Sequence, residues 1–206
     1  MPLLRVNSAS HLFLLVVVLA LFALPVPGQR GGVTLPADLG QLTDLAETIV
    51  RGRVLMSYVE PHPEFRKLRT LVVVLRVERI LKGHPEQTLS FRQFIWDARD
   101  RYDSTGYRKG QEYLLFLNGP TPAGLVSPVG LEQGRFRIER TADGQVSAVN
   151  GHANVELLRP LVQQMRFRLL PLSTVTRATV ERHERGPIAL NQVEELVENF
   201  VKARRP

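Results

Sequence analysis

His62 stands two residues before Glu64, and His183 directly precedes Glu184. An imidazole beside a carboxylate can shuttle protons or help bind a metal. Zinc proteases, however, set two histidines four apart on one helix face, and neither pair has that form. The remaining histidines, His11, His84 and His152, also fall in segments that read as signal or loop. The expectation is therefore solvated loop histidines, no metal and no cofactor; a metal site would have to be gathered from separate loops.

Other catalytic patterns are missing too. No G-x-S-x-G turn exposes a nucleophilic serine. Gly31-Gly32 and the stretch from Gly106 to Gly110 lack the Gly-Lys-Ser/Thr ending of a phosphate-cradling loop. Asp97, Asp100 and Asp103 could supply a carboxylate pair for glycoside hydrolysis. They alternate with Arg99 and Arg101 and are followed by Arg108, which reads as a solvated mixed-charge loop. No catalytic residue is assigned.

The segment is better suited to binding. Trp96, Arg99, Arg101, Tyr102, Tyr107 and Arg108 bring aromatic rings and guanidinium groups together. Aromatics stack on ligands and arginines supply charge, as on the loops of oligonucleotide- and oligosaccharide-binding barrels. These six residues are the candidate ligand-binding set. Trp96 can stack on a ligand or plug the end of a barrel, and the sequence leaves both open.

Strands must position that loop. Val50, Gly52, Val54, Met56 and Tyr58 alternate with Arg51, Arg53 and Ser57, predicting a half-buried strand over 49–58 with one face made of the first set. Gly52 within it signals a bulge or tight coil. A long strand over 68–81 follows, its second face changing from Val72 and Val74 to Arg76 and Glu78. Further strands are expected over 88–95, 113–117, near 125–126, over 135–140 and over 145–149, the last pair joined at Asp143-Gly144. Tyr113–Leu117 is continuously apolar and predicts burial on both faces. Leu39, Leu42, Leu45 and Ile49 predict a short helix around 37–47. Residues 153–185 read as short helix and connection. Val193, Leu196, Val197, Phe200 and Val201 predict an amphipathic helix over 191–203, with Asn191 as N-cap and Glu194 completing a capping box.

The order of these pieces carries a resemblance. Ala46–Val54 (AETIVRGRV), Leu81-Lys82-Gly83 and Gly110–Leu117 (GQEYLLFL) resemble a class of uncharacterised exported bacterial proteins. Their core is similar to the OB-like barrel of netrin-type modules and tissue inhibitors of metalloproteinases. The resemblance covers residues 37 to 150. It implies a mainly β fold with flanking helices: a five-to-six-stranded antiparallel barrel, a short N-terminal helix and a C-terminal amphipathic helix. The inhibitors chelate their target's zinc through an N-terminal cysteine. This chain has no cysteine, so that chemistry is not carried over.

Export is the reading of the first residues. One Arg and no acid precede thirteen apolar residues, Leu12–Leu24, and Pro25-Val26-Pro27-Gly28 follows. This is the form of a secretory signal peptide over 1–28. Thirteen helical residues span about 20 Å, short of the ~30 Å bilayer core. Removal is therefore expected over permanent anchoring, with an uncleaved N-terminal anchor as the alternative. The domain plan is then signal 1–28, lead-in 29–36, OB-like barrel 37–151 and C-terminal extension 152–206. Export places the protein in the periplasm or outside the cell and argues against nucleic acid as partner.

The formal net charge is +7, and the first 28 residues contribute one of these charges. A basic exported protein meets anionic partners. Without cysteine no disulfide staples the fold, so apolar burial and sheet hydrogen bonds must hold it. Together these features predict an exported, non-enzymatic interaction module whose partner is an envelope protein, a glycan or an anionic surface. Alternatives are an exported hydrolase with a site built from dispersed loop residues, or a protease inhibitor. The sequence does not fix the oligomeric state.

Overall fold

The computed structural model describes residues 35–95 and 106–204, which belong to one compact unit, residues 31–206. The expected signal segment and four of the six candidate binding residues, Trp96, Arg99, Arg101 and Tyr102, lie outside the described residues. Helix α1 (Leu39–Leu45) leads into strands β1 (Thr48–Pro61), β2 (Arg69–Lys82), β3 (Thr88–Phe94), β4 (Glu112–Leu117), β5 (Arg135–Arg140) and β6 (Val146–Asn150). Short helices α2 (Met165–Arg168) and α3 (Thr174–Arg182) follow. A two-residue strand, β7 (Ile188–Ala189), then runs directly into helix α4 (Leu190–Arg204). No helix among the described residues is long and apolar enough to cross a membrane.

All seven strands join one antiparallel sheet in the order β3-β2-β1-β4-β5-β6-β7. This corrects the expected barrel of five to six strands. The sheet is larger and open, because β5, β6 and β7 extend it beyond β4 instead of returning to β3. The expected strand near 125–126 is a hydrogen-bonded connection. Val126 N–H donates to Arg92 O at 2.7 Å, and Asn118 N–H donates to Ser127 O at 3.0 Å.

Strand β4 divides two apolar cores; Tyr113–Leu117 are all buried as their continuous apolar run predicts, and so is Glu112 before them. Leu114 and Phe116 face one core with Phe136, α1 and α4; Tyr113, Leu115 and Leu117 face the other with Val73, Leu75 and Phe91. Burial on both sides, with sheet hydrogen bonds along the strand, compensates for the missing disulfides.

Helix α1 is fixed by a capping box. The Asp38 side chain accepts from Gln41 N–H at 2.9 Å, and Asp38 N–H donates to Gln41 Oε1 at 2.9 Å. Helix α4 begins at Leu190, so Asn191 lies inside its first turn rather than capping it. Glu194 is drawn to strand arginines instead of a capping box.

The β1–β2 ladder contains an irregularity that decides which side chains face outward. Val54 pairs with Leu75, but Met56 pairs with Val74, so Leu55 is an extra residue. A one-residue bulge moves every later side chain to the opposite face. Val50, Gly52 and Val54 are buried as expected, whereas Met56 and Tyr58 are exposed and their neighbours Ser57 and Val59 turn inward. The single face predicted for Val50 to Tyr58 is therefore broken at Leu55.

Candidate functional site

Beyond the bulge, the outer faces of β1, β2 and β3 form three cross-strand rows. Met56 lies beside Val74 and Ser90, Tyr58 beside Val72 and Arg92, and Glu60 beside Thr70 and Phe94. Met56, Tyr58 and Phe94 are 51 %, 44 % and 52 % exposed. Between the two aromatics, Arg92 forms an ion pair with Glu60 at 2.5 Å and donates to Thr70 Oγ1 at 2.8 Å. The face thus offers apolar and aromatic contact around a charge pair that is already balanced.

The described ends of the loop predicted to bind meet this part of the sheet. Strand β3 ends at Phe94, two residues before Trp96, and Ser57 Oγ donates to Tyr107 O at 2.6 Å where the loop returns. Tyr107 itself is only 4 % exposed. Its ring packs edge-on to Phe91 and against Tyr113, with the Arg135 guanidinium 4.8 Å from its centre, so the structure places it in a core. Arg108 is exposed at the mouth of the loop. Of the predicted set, the described part therefore contributes one core aromatic and one surface cation.

His62 departs from the solvated-loop expectation. It is 4 % exposed, and its Nδ1 accepts from the backbone N–H groups of Glu64 and Phe65 at 3.2 and 3.1 Å. That geometry leaves the proton on Nε2, which faces Ala123 O at 2.8 Å. The ring latches the β1–β2 turn to the connection after β4. His84 and His152 are exposed, and among the described residues no group of three His, Cys, Asp or Glu could hold a metal ion.

No family model matches the chain, and no curated protein or solved structure is detectably similar to it. The site must be read from its own chemistry.

The densest charge lies elsewhere, between α4 and the sheet. Glu112, 3 % exposed, receives Arg140 at 2.7 Å and Arg53 at 3.2 Å on one carboxylate oxygen, while Arg51 Nε stands 3.3 Å from the other. Arg51 also reaches Glu194 at 3.0 Å, and Arg79 reaches Glu194 at 2.5 Å and pairs with Glu198. Burial raises the Glu194 carboxyl pKa, Arg51 and Arg79 oppose that rise, and Glu198 adds to it. A recess of about 430 Å³ opens beside Arg51, Arg140, Asn191 and Glu194. Arg51, Arg53, Arg79 and Arg140 are matched by Glu78, Glu112, Glu194 and Glu198. The cluster is thus a lock holding the C-terminal helix against β1 and β2, with its charges spent on each other.

Proposed function

We propose that this chain is an exported, non-enzymatic interaction module that binds another protein of the cell envelope through the outer face of β1–β3. The observation that carries the reading is the bulge at Leu55, which turns Met56 and Tyr58 outward beside Phe94. Protein interfaces are enriched in Tyr, Phe, Met and Arg and depleted in unpaired charge at their centre. The face has that composition, with Arg92 neutralised by Glu60. A balanced pair gives no preference for an anionic ligand, which favours a protein over an acidic glycan.

Export rests on the apolar stretch Leu12–Leu24 and the small residues after it. The local feature that favours the OB-like reading of residues 37–151, within a sheet that stays open, is the connection at 125–128, which bonds to Arg92 of β3 and bridges Leu117 of β4. In barrels of that kind the face of the second and third strands and the adjoining loops bind ligands. Here that face carries Arg92 and Phe94, the cross-strand partners of Val72 and Thr70.

A photoreactive residue at position 58, in the exporting cell, tests the reading. One discrete cross-linked protein is expected from position 58, and none from position 137 on β5. Equal labelling from both positions, or turnover of an envelope substrate by the purified protein, contradicts it.

A further inference from the structure

A second surface, made of different residues, has the opposite chemistry. From Leu157 to Val180 the chain has four arginines, Arg159, Arg166, Arg168 and Arg177, and no acidic residue. Within it, Met165 and Leu169 stand four apart across the turn of α2 and are 72 % and 78 % exposed. Large apolar side chains at that exposure, flanked by Arg166 and Arg168, do not serve the fold. Phe167 between them is buried and anchors the turn to the core.

Arg166 ties this turn to a cationic corner. Its guanidinium reaches Asp44 Oδ2 at 2.7 Å and Phe200 O at 2.7 Å. Arg204 donates to Asp44 O at 2.6 Å, and Lys82 donates to Thr43 O at 2.7 Å, at the C-terminal end of α1. Three cations thus converge on one carboxylate, Asp44, and on helix-end carbonyls. Burial lowers the Lys82 pKa and Arg204 lowers it further; Asp44 opposes this, and Arg166 adds to the lowering. Next to Asp44, Leu45 is 64 % exposed. The other acids in contact with the segment are engaged: Glu156 with Arg159, Asp38 with Gln164 and Gln41, and Glu195 with Ser173 and Thr176.

We infer that the turn carrying Met165 and Leu169, with Arg166, Arg168, Lys82 and Arg204, docks on an anionic lipid surface. The charge surplus is complementary to acidic headgroups, and Met165 and Leu169 insert shallowly at the headgroup boundary, as basic amphipathic surfaces do. Apolar residues without the cations would suit a protein groove, and cations without the apolar residues would suit a soluble polyanion. Their combination on one turn is what selects the bilayer. This docking is independent of the occupant of the β1–β3 face.

Co-sedimentation of residues 31–206, the compact unit, with lipid vesicles tests the inference. Vesicles containing phosphatidylglycerol are expected to bind it at least tenfold more tightly than pure phosphatidylcholine vesicles, and 0.5 M salt should weaken binding. The surface variant M165S/L169S should raise the half-saturating lipid concentration at least fivefold, with an unchanged circular dichroism spectrum. R168E should do the same. On anionic vesicles Met165 should become protected from oxidation, while Met56 stays reactive. Equal binding to both vesicle types, no binding to either, or binding that M165S/L169S leaves intact overturns the inference, as does a protein captured through Met165 and Leu169 without lipid. A loss of cross-linking at position 58 would instead concern the sheet face alone.

Discussion

Tyr58 lies directly across from Val72 in the β1–β2 ladder, on the side of the sheet that faces away from the core. Without the extra residue at Leu55, Tyr58 would continue the alternation of Val50 and Val54 and point inward. On this side Val72 is 5 % exposed and Tyr58 is 44 % exposed, so the aliphatic residue is buried while its aromatic neighbour stays open to solvent. One irregularity in a strand therefore creates the surface assigned to the partner.

Gly52 is the second irregularity in the same strand. A Cβ there would stand 2.7 Å from Arg76 O, a backbone atom that cannot swing away. Gly52→Ala should destabilise the fold by about 1–3 kcal/mol, the usual cost of overpacking. Urea unfolding monitored by circular dichroism checks it; an unchanged midpoint would mean that β1 and β2 are not so closely apposed.

Glu112 is the centre of the ionic lock. Glu112→Ala leaves Arg51, Arg53 and Arg140 without their shared carboxylate. Removing one member of a fully buried pair costs about 3–5 kcal/mol. The arginines here are partly exposed, so a loss of about 2–3 kcal/mol is expected, read again from urea midpoints. A change under about 0.5 kcal/mol, the size of an ordinary surface substitution, would contradict the lock.

Neighbouring carboxylates on α4 should respond to pH in opposite senses. Burial holds the folded-state pKa of Glu194 above its ordinary 4.5, against Arg51 and Arg79. The folded chain then keeps a proton that the unfolded chain has released, so stability from this group is present below 4.5 and is lost as pH rises through the raised value. For Glu195, burial also pushes the pKa upward, but hydrogen bonds from Thr176 and Ser173 outweigh it and the net shift is below 4.5. Its stabilising contribution is present above 4.5 and is lost as pH falls through the lowered value. As pH rises from 4 to 7, Glu194→Gln should therefore gain stability relative to the parent, on top of a constant loss from its broken pairs with Arg51 and Arg79, and Glu195→Gln should lose stability relative to the parent. Thermal melts between pH 3 and 7 decide this; the opposite pH trends would contradict it.

Much of the fold was legible because side-chain period is a local property. Alternation announced β1, β2 and β5, the apolar run announced β4, and the i, i+3, i+4 pattern announced α4 within a residue or two. Asp143-Gly144 announced the β5–β6 hairpin, where Gly144 takes a φ of 83°. What escaped was decided by distant partners. Leu55 and Met56 are both apolar, so nothing local marks which of them is the extra residue. The hairpin is legible, but its attachment to β4 rather than to β3, which leaves the sheet open, depends on the whole ladder. His62 sits between Pro61 and Pro63 as a loop histidine would, yet its carbonyl partner is 61 positions away. Arg51 alternates as a water-facing residue would, yet it meets Glu194 143 positions later. Of the candidate site, Arg108 is exposed as a binding cation would be, while Tyr107 went to the core because Phe91 and Tyr113 enclose it.

Met56 offers the most direct measurement, because its thioether reports access to the β1–β3 face without any substitution. Oxidation by dilute peroxide, read by mass spectrometry, should be fast in the purified protein, where Met56 is 51 % exposed. In the intact exporting cell the same residue should be at least fivefold slower, covered by the partner. Equal oxidation of Met56 in both settings would leave the face unoccupied and contradict its role in binding.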